Sequence, residues 1–394
     1  MSEKINLLCH ESIKEVPPDI WNFNNMEEEL FHSPDFLEVL ENAKVEDSKM
    51  WYLMAIKEKE VVATAVLSLF KISLDLFIGE NAAVKWINKN FPGFFKVKIL
   101  FCGTPVSIGH KNLSLKNDSE AQLILGLIEK KMKDIAVNNK VKHLITKELD
   151  NSKRISWGEQ LLKLNWFEGF SIPDVKMIIR WKTYQEYLKS IRTSYRRQIK
   201  SSLLKMNNGQ KITDLEKLIT DNIQILSAGE VDVNEFFEKY MAVMNRATVK
   251  LETLNLPFFE NLFEKYQKDI RIFSYTNANR DRSYFFTIHK HDTLYFLWTA
   301  RYENKDSKDI YFNLYQAMIS YAIQHKVKLL HLGQTAYYAK MRIGGVHHPR
   351  FVYFKCLNRF QHLILKSLRL LIFPELKLEQ LNVFQSLPNP KTTP

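Results

Sequence analysis

The alternation of apolar and polar positions predicts how the first half of the chain begins. Residues 30–42 (LFHSPDFLEVLEN) form a predicted helix with Ser33 as N-cap and Pro34 at the first position, where a missing N–H costs nothing. Two β-rich runs divided by the polar turn KEKE predict a hairpin over 51–70. A short strand at 99–107 runs into a Gly/Pro turn.

Each half of the chain also contains a long helix that leads directly into a strand. In the first half, apolar residues at helical spacing over 118–139 precede the strand VKHLIT at 141–146. In the second half, a helix over 309–325 precedes the strand KLLHLG at 328–333. The remaining pattern predicts helices at 181–206, 232–247 and 257–268 and strands at 270–276, 282–290 and 293–301.

An offset of 186 residues relates these two helix-to-strand units. It superimposes Val141 on Val327 and matches five further identical pairs, which are Met132 with Met318, Ala136 with Ala322, Lys140 with Lys326, Lys142 with Lys328 and Leu144 with Leu330. Six identities in thirteen positions favour an internal duplication, although two amphipathic helix-to-strand units could also converge on some of them. A duplication would give the strands at 141–146 and 328–333 equivalent places in two half-sheets.

Length and composition agree with two α/β halves. The 394 residues exceed the length of roughly 250–300 at which single cores stop growing. Hydrophobic residues make up 45% and charged residues 25%, which argues against a disordered or fibrous chain. We therefore expect two domains, or two halves that share an interface.

The net charge limits the kinds of binding partner that we expect, and the cysteine content limits the cellular compartment. The net charge of +12 favours an anionic partner such as nucleic acid, a phosphorylated cofactor or a membrane surface, whereas surplus lysine scattered over a solvated surface is the alternative. The three cysteines, Cys9, Cys102 and Cys356, form no CxxC and no even framework. We expect neither a disulfide scaffold nor a cysteine-based zinc site, and a reducing cytoplasm fits best.

No segment of the sequence has the pattern of a secretory signal or a membrane span. Near the C-terminus, residues 357–372 (LNRFQHLILKSLRLLI) mix basic residues with leucines at helical spacing. That pattern suits an amphipathic helix packed on the protein better than one lying on a membrane, and both interpretations stay open.

Familiar catalytic motifs are missing, and a basic helix is the first positive signal. GxxxxGK[ST], GxGxxG after a strand, HExxH and GxSxG do not occur, which weighs against P-loop, Rossmann, zincin and α/β-hydrolase chemistry. In SIRTSYRRQIKSSLLK (190–205), Arg192, Arg196 and Lys200 recur at helical spacing beside Arg197. They offer donors to a polyanion such as a cofactor's phosphates or a tRNA backbone, unless they form a solvated basic face.

A second cluster follows the apolar strand at 328–333, where α/β folds place ligand sites. Its residues are a strand-end glycine, two uncharged hydrogen-bonding groups, two phenols, a cation and a flexible turn, namely Gly333, Gln334, Thr335, Tyr337, Tyr338, Lys340, Gly344 and Gly345. We expect a functional loop here. His347 and His348 are adjacent and would point to different sides of a strand, so no metal site is predicted.

A third cluster lies in the strand LYFLWTARYE (294–303). Strict alternation would put Thr299 and Arg301 on one face and Phe296 and Trp298 on the other. Core packing explains Phe296 and Trp298, whereas Thr299 and Arg301 are harder to place in a core and could face a pocket.

These pieces, in this order, resemble the GNAT-like acyltransferases of the FemAB and BioF2-like type, which include peptidoglycan biosynthesis or recognition proteins. The matching segments are LFHSPDFLEVLE, YLKSIRTSYRRQIKSS, YFLWTARYE, DIYFNLYQAMISYAIQHK and HLGQTAYYAKMRIGG. The resemblance covers about 30–356, and its strength lies in the order and spacing of loose motifs.

The resemblance implies a tandem pair of GNAT-like halves with mixed α/β sheets. The N-terminal half would span 1–180, the C-terminal half with the active site 181–356, and an amphipathic helix and tail 357–394. The chain lacks both the Q/R-x-x-G-x-G/A loop of ordinary GNAT enzymes and the coiled-coil arm of the Fem aminoacyltransferases. Acyl-CoA is therefore the first expected donor and aminoacyl-tRNA the second; a degenerate binding protein is the non-enzymatic alternative.

The resemblance also suggests roles in acyl transfer to an amine-bearing small molecule or peptide, by direct attack and without a tightly bound cofactor. Tyr337 or Tyr338 is the candidate general acid, and Lys340 completes the catalytic set. The expected donor contacts are Arg196, Arg197, Lys200, Gly333, Gln334 and Thr335. The expected substrate contacts are Trp298, Thr299, Arg301, Gly344 and Gly345.

Overall fold

The computed structural model describes residues 5–23, 29–73, 96–206, 218, 222–247, 252–277, 279–303 and 307–385. The chain divides into two compact units. The first comprises Met1–Pro173, Thr248–Asn261 and Pro349–Leu376, and the second Asp174–Ala247, Leu262–His348 and Lys377–Pro394.

The described strands are β1 Asn6–His10, β2 Lys49–Lys57, β3 Glu60–Ser73, β4 Lys96–Cys102, β5 Leu113–Leu115, β6 His143–Leu149, β7 Phe167–Ile178, β8 Ile223–Leu226, β9 Ile270–Thr276, β10 Arg282–Lys290, β11 Thr293–Ala300, β12 Leu329–Gln334 and β13 Val346–Cys356.

The described α-helices are α1 Pro18–Trp21, α2 Pro34–Ala43, α3 Ala121–Asn138, α4 Asn151–Lys153, α5 Glu159–Lys163, α6 Tyr184–Ser190, α7 Thr193–Met206, α8 Val233–Arg246, α9 Leu256–Lys265, α10 Ser307–Gln324, α11 Tyr337–Arg342, α12 Arg359–Ser367 and α13 Arg369–Ile372. A π-helical turn, Arg154–Gly158, joins α4 to α5.

The first unit follows the predicted pattern closely at its start. Ser33 caps α2 by accepting a hydrogen bond from the Phe36 N–H at 3.4 Å, and Pro34 is the first helical residue. Strands β2 and β3 form the predicted hairpin, whose turn residues Glu58 and Lys59 have φ of 49° and 74°. Positive φ at both central residues matches the right-handed twist of the strands.

The sheet of the first unit is an antiparallel meander that ends in a parallel pair. Its strand order is β1-β2-β3-β4-β6-β13, and β5 also pairs with β3. Strand β6 runs parallel to β4, from Ile99 opposite His143 to Cys102 opposite Thr146, and α3 makes the crossover between them. The crossover is needed because parallel neighbours cannot be joined by a tight turn.

The sheet of the second unit repeats this arrangement. Strands β8, β9, β10 and β11 are antiparallel neighbours in this order, and β12 runs parallel to β11 after the crossover helix α10. The end of β7 pairs with the other edge of β12. The strands β6 and β12 therefore hold equivalent places in their units, as the 186-residue offset predicts.

The repeated identities have a common structural cause. Lys140 and Lys326 both have φ of 56°, the left-handed conformation that ends a helix. In each unit the next N–H returns to the helix: Val141 donates to the Ala136 carbonyl at 2.8 Å, and Val327 to that of Ala322 at 2.9 Å. The matched Met and Leu pairs are buried in the two cores. The repeat thus marks a shared helix-to-strand joint.

Two sequence expectations about organisation differ from the structure. The predicted halves are contiguous, whereas residues 349–376 belong to the first unit, because Phe351–Cys356 of β13 pairs with β6. The predicted single helix over 181–206 is divided into α6 and α7. Ile191 breaks it: the residue is extended, buried and bridged to Phe384.

The C-terminal amphipathic segment is packed along one side only. His362 is buried, and Leu365 and Ile372 contact a cluster of buried aromatic and aliphatic side chains. Other apolar residues of α12 and α13, including Phe360 and Leu371, are exposed. Within the described part of the chain, no helix is long and apolar enough to cross a membrane.

The close packing of the first unit can be tested at Gly158. A Cβ at this residue would overlap the hydroxyl of Tyr353 and lie 2.6 Å from its Cζ. The Tyr353 ring is fully buried, and its hydroxyl donates to Glu168 Oε2 at 2.6 Å, so the ring has little room to move. We expect Gly158→Ala to lower the free energy of unfolding by about 1–3 kcal/mol.

Gly126→Ala is the matched control, because no atom lies within 4 Å of its added Cβ in α3. It should raise the free energy of unfolding by about 0.5–1 kcal/mol, since alanine favours a helix over glycine. Denaturant titrations of both variants check the pair. Equal stabilities would contradict the described packing.

Candidate functional site

The candidate site lies where the two parallel strands of the second unit separate. Strands β11 and β12 pair from Thr293 opposite Leu329 to Tyr295 opposite His331. Among these described residues the parallel ladder ends there, although β11 continues to Ala300 and β12 to Gln334. We call the gap between the unpaired carboxyl ends of these strands the cleft; the carboxyl ends of strands are the usual place for ligands in open α/β sheets.

Irregularities in both strands shape this cleft. On β11, Trp298 lies opposite Phe286 and Phe296 opposite Thr287, so Leu297 is an extra residue in the ladder. On β12, the register against β7 likewise shifts between His331 and Gly333. Such bulges bend a strand and redirect its side chains.

The bulge makes the predicted alternation along β11 wrong. The Phe296 ring contacts Tyr315 of α10, and Thr299 Oγ1 lies 3.1 Å from the hydroxyl of Tyr311 on the same helix. Phe296 and Thr299 therefore share a face. Trp298 lies on the opposite face against Phe286, which supports core packing rather than the predicted substrate contact.

Lys340 is a predicted residue of the site whose amino group is buried and has a lowered pKa. It lies on the short helix α11, is only 3% exposed, and donates from Nζ to the Gln334 carbonyl oxygen at 2.6 Å. Its Nζ also lies 5.7 Å from the centroid of the Phe296 ring, on the part of β11 beyond the parallel ladder. Burial lowers the pKa of Lys340 to about 7, against the opposing attraction of the Asp174 carboxylate.

Asp174 and His331 complete this cluster, and neither was predicted from the sequence. The Asp174 carboxylate is fully buried, with Oδ2 3.4 Å from His331 Nε2 and 3.5 Å from Lys176 Nζ. His331 Nδ1 accepts a hydrogen bond from the Gly333 N–H at 3.2 Å. The available signals were polar residues inside two apolar strands, the aspartate in SIPDVKMI and the histidine in KLLHLG.

The two candidate tyrosines occupy different environments. Tyr337 is half-buried near Asp174, and burial raises the pKa of its hydroxyl well above the ordinary value, so the group stays protonated. Tyr338 is 65% exposed, and its hydroxyl accepts a hydrogen bond from Arg342. The structure thus separates the pair and leaves Tyr337 as the candidate beside the buried cluster.

The turn between β12 and α11 depends on left-handed backbone. Gly333 has φ of 69°, and Thr335 and Ala336 have φ of 59° and 47°. Left-handed conformations favour glycine at such positions. Thr335 is exposed and Gln334 is buried, so only Gln334 joins the Lys340 cluster.

The two later glycines are closely packed, and their substrate contact stays a prediction. A Cβ at Gly344, which has φ of 102°, would overlap the Phe384 ring. One at Gly345 would lie 2.6 Å from Val175 Cγ1 and 2.8 Å from the Lys340 carbonyl oxygen. Protein atoms therefore occupy the space that a side chain at either position would need.

Fewer of the predicted basic side chains lie on an exposed face of α7 than their helical spacing suggests. Arg192 lies at the break between α6 and α7, and its Nε donates to the Phe384 carbonyl at 3.1 Å. Arg197 and Lys200 are exposed on α7, whereas Arg196 is half-buried with weak bonds to Lys189 and Thr193.

Contacts on the other side of α7 connect it to the site. The Cζ atom of Arg342 on α11 lies 5.7 Å from the centroid of the Tyr195 ring on α7. Arg301, the remaining predicted contact, lies over the ring of Tyr311 at 5.1 Å.

At the equivalent position in the first unit, polar side chains surround a small cavity, with Asn112 and Thr146 in its lining. Beyond the parallel strands β4 and β6, Asn112 Oδ1 accepts from the Thr104 N–H at 3.0 Å, and Thr104 Oγ1 lies 3.1 Å from His110 Nε2. Ser68 Oγ donates to the Gly103 carbonyl at 2.5 Å.

Two units that each join an antiparallel meander to a parallel strand through a crossover helix define a tandem GNAT-like protein. The chain belongs to the FemAB-like family, described as peptidoglycan biosynthesis/recognition, which it matches over residues 12–357. Family and fold together support an acyltransferase type of function.

Individual relatives are distant. A Mycobacterium tuberculosis protein named 8-amino-7-oxononanoate synthase 2, from strains CDC 1551 / Oshkosh and H37Rv, is 21% identical over 330 residues. The match covers 81% of this chain and 41% of that protein, so the chain spans about two fifths of the relative's length.

Two solved structures show the same fold. The crystal structure of FemX has a TM-score of 0.55 at 12% identity and covers 92% of this chain and 100% of FemX. A tandem GNAT protein from the clavulanic acid biosynthesis pathway has a TM-score of 0.51 at 7% identity. The match covers 90% of this chain and 99% of that protein.

The depressed pKa of Lys340 predicts a pH-dependent stability. From about pH 7 up to the ordinary pKa of 10.5, the unfolded lysine holds a proton that the folded lysine has released. The buried lysine therefore costs stability fully below about pH 7, and this cost disappears as the pH rises towards 10.5.

Lys340→Met removes the titrating group, so we expect the variant to gain most, relative to wild type, at and below neutral pH. The difference in unfolding free energy should shrink by about 1.4 kcal/mol per pH unit between about pH 8 and about pH 9. Denaturant titrations at both pH values measure it. Parallel pH profiles for the two proteins would mean that Lys340 keeps an ordinary pKa.

Proposed function

We propose that the second unit transfers an acyl group from an acyl-CoA-like donor to an amine, by direct attack in the cleft between β11 and β12. The observation that carries this proposal is the end of the parallel ladder at Tyr295 and His331, beside the buried Lys340. An opening between strands exposes backbone donors and acceptors, and a side chain that titrates near neutral pH stands at its border.

The cleft suits an extended donor with amide groups. Such a chain can add to an exposed strand edge through main-chain hydrogen bonds. The pantetheine arm of coenzyme A has this chemistry, and its phosphates would need cations nearby. Arg196, Arg197 and Lys200 of α7 are the proposed phosphate contacts, because Tyr195 on the same helix lies near Arg342 of α11.

The cluster at Lys340 can assist the proton transfers of amide formation. The attacking amine must be neutral and must lose a proton, and the oxygen of the thioester needs a donor as charge develops on it. With a pKa near 7, Lys340 is partly neutral at physiological pH and can accept a proton. Tyr337 stays protonated and can donate one, which makes it the proposed general acid.

An aminoacyl-tRNA is the alternative donor, favoured by the FemAB-like family and by the net charge of +12. The basic side of α7 would then contact the nucleic-acid backbone, whose binding weakens steeply with salt. A degenerate binding protein with the same fold is the non-enzymatic alternative. Peptidoglycan precursors are the acceptor class that the family description favours.

Donor identity is tested by native mass spectrometry with acetyl-CoA, longer acyl-CoA thioesters and aminoacyl-tRNA. We expect a complex with an acyl-CoA, and replacement of Arg196, Arg197 and Lys200 by glutamine should weaken it by about tenfold or more, since charge-assisted bonds are worth about 1.5–3 kcal/mol each. Glutamines at Lys49, Lys98 and Lys130, exposed lysines of the first unit, lower the net charge equally and should leave affinity unchanged.

Binding of aminoacyl-tRNA in place of acyl-CoA would favour the alternative donor. No complex with either class would favour the binding-protein alternative. If both triple variants bind the donor like wild type, α7 carries an ordinary solvated face.

The two tyrosines provide a matched pair for the transfer step. Phenylalanine keeps the ring of Tyr337 and removes its hydroxyl, so we expect Tyr337→Phe to lower kcat by about 10²-fold or more with little change in donor affinity. Tyr338→Phe should turn over like wild type, because Tyr338 is exposed and bonded to Arg342. Steady-state kinetics with the donor found above decide it: full activity of Tyr337→Phe would remove this tyrosine as the acid.

A further inference from the structure

The C-terminal helices of the first unit present an apolar surface to solvent. Its exposed side chains, which we call the C-terminal apolar surface, are Phe360, Leu363, Ile364, Leu368, Leu370 and Leu371. Phe360 and Leu371 are 73% and 74% exposed. Single exposed apolar residues are ordinary, whereas a contiguous group of six on one short segment marks an interaction surface.

The helices are fixed to the unit by a different side. His362 is buried, and its Nδ1 accepts a hydrogen bond from the Cys356 N–H at 3.2 Å. Phe373 is buried beside Phe167 and Phe354, with ring centroids 6.5 and 6.1 Å away. Positions 360, 363, 364, 368 and 371 follow helical spacing on the face away from these anchors. Among the described residues, the core of the unit therefore leaves this face uncovered.

The charged residues within the segment itself are all basic. Residues 357–372 contain Arg359, Lys366 and Arg369 and no acidic residue. Against the effect of burial, Arg154 and, least strongly, Arg369 lower the pKa of the Glu168 carboxyl, so Arg369 already has an anionic neighbour. All three basic residues of the segment are exposed. Apolar side chains flanked by basic ones on a helix are the pattern that enters the interface of an anionic bilayer.

We propose that the C-terminal apolar surface binds a bilayer that contains anionic phospholipid, with α12 in the plane of the interface and Arg359 and Lys366 at the headgroups. A second copy of the chain fits this surface less well. A twofold contact brings the same patch of both copies together, and here it would bring the basic residues face to face without an acid in the segment. The proposal is independent of the transfer reaction.

The test is co-sedimentation of the full chain with vesicles of phosphatidylcholine alone and of equimolar phosphatidylcholine and phosphatidylglycerol. We expect binding to the anionic vesicles at least about tenfold above that to the neutral ones, falling with added salt. Two variants separate the contributions. The first replaces Phe360, Leu363 and Leu371 by serine, the second replaces Arg359 and Lys366 by glutamine, and each should reduce binding by about tenfold or more.

Matched controls keep the result specific. Serines at Leu123, Val137 and Leu162, exposed apolar residues elsewhere in the first unit, and glutamines at Lys49 and Lys130 should bind vesicles like wild type. All variants change exposed side chains, and unchanged thermal midpoints and circular dichroism would show that they fold.

Three results would overturn the proposal. One is equal binding to neutral and anionic vesicles, or none to either. The second is a dimer in sedimentation velocity that the triple serine variant abolishes without vesicles present, which would assign the surface to a second copy. The third is vesicle binding by both variants that equals wild type, which would place the lipid contact elsewhere on the chain.

Discussion

One topological constraint governs both units: a parallel strand can be added to an antiparallel meander only through a crossover. That requirement places α3 between β4 and β6 and α10 between β11 and β12. It also leaves the carboxyl ends of the parallel pair without a connecting turn, so the two strands can separate there. Below that point they share a ladder, and beyond it they border a cleft. The location of the candidate site follows from this geometry before any side chain is considered.

What distinguishes the two units is how each fills the space beyond its parallel pair. The first unit has hydrogen bonds among Thr104, His110 and Asn112 there, beside a small cavity. The second unit instead surrounds the buried Asp174 carboxylate with His331, Lys176 and Lys340. A buried carboxylate is stable only with such partners. Asp174 in turn favours the charged form of Lys340, which burial disfavours. Two copies of one topology thus place different polar groups beyond their parallel strands.

Packing also explains which apolar residues are available for binding. Gly344 and Gly345 lie under Phe384 and Val175, so their absence of side chain serves the core of the second unit. The C-terminal helices use a narrow side, His362 and Phe373, to hold to the first unit. Leu365 and Ile372 also contact that core, whereas the apolar side chains on the opposite face, Phe360 and Leu371 among them, are exposed to water. An apolar face that folding does not bury is available to a partner, and here it carries basic neighbours.

The sequence by itself determined what depends on local periodicity and local backbone conformation. The Ser33 cap, the hairpin at 51–70 and the repeated helix-to-strand joint ending at Lys140 and Lys326 were all readable, because neighbouring residues decide them. Tertiary structure alone decided the rest. The bulge at Leu297 reverses the faces of β11, the bridge of Ile191 to Phe384 divides the basic helix, and Asp174 meets His331 across 157 positions of sequence. Each of these depends on strand register or on contacts between distant segments, and a local pattern carries no information about either.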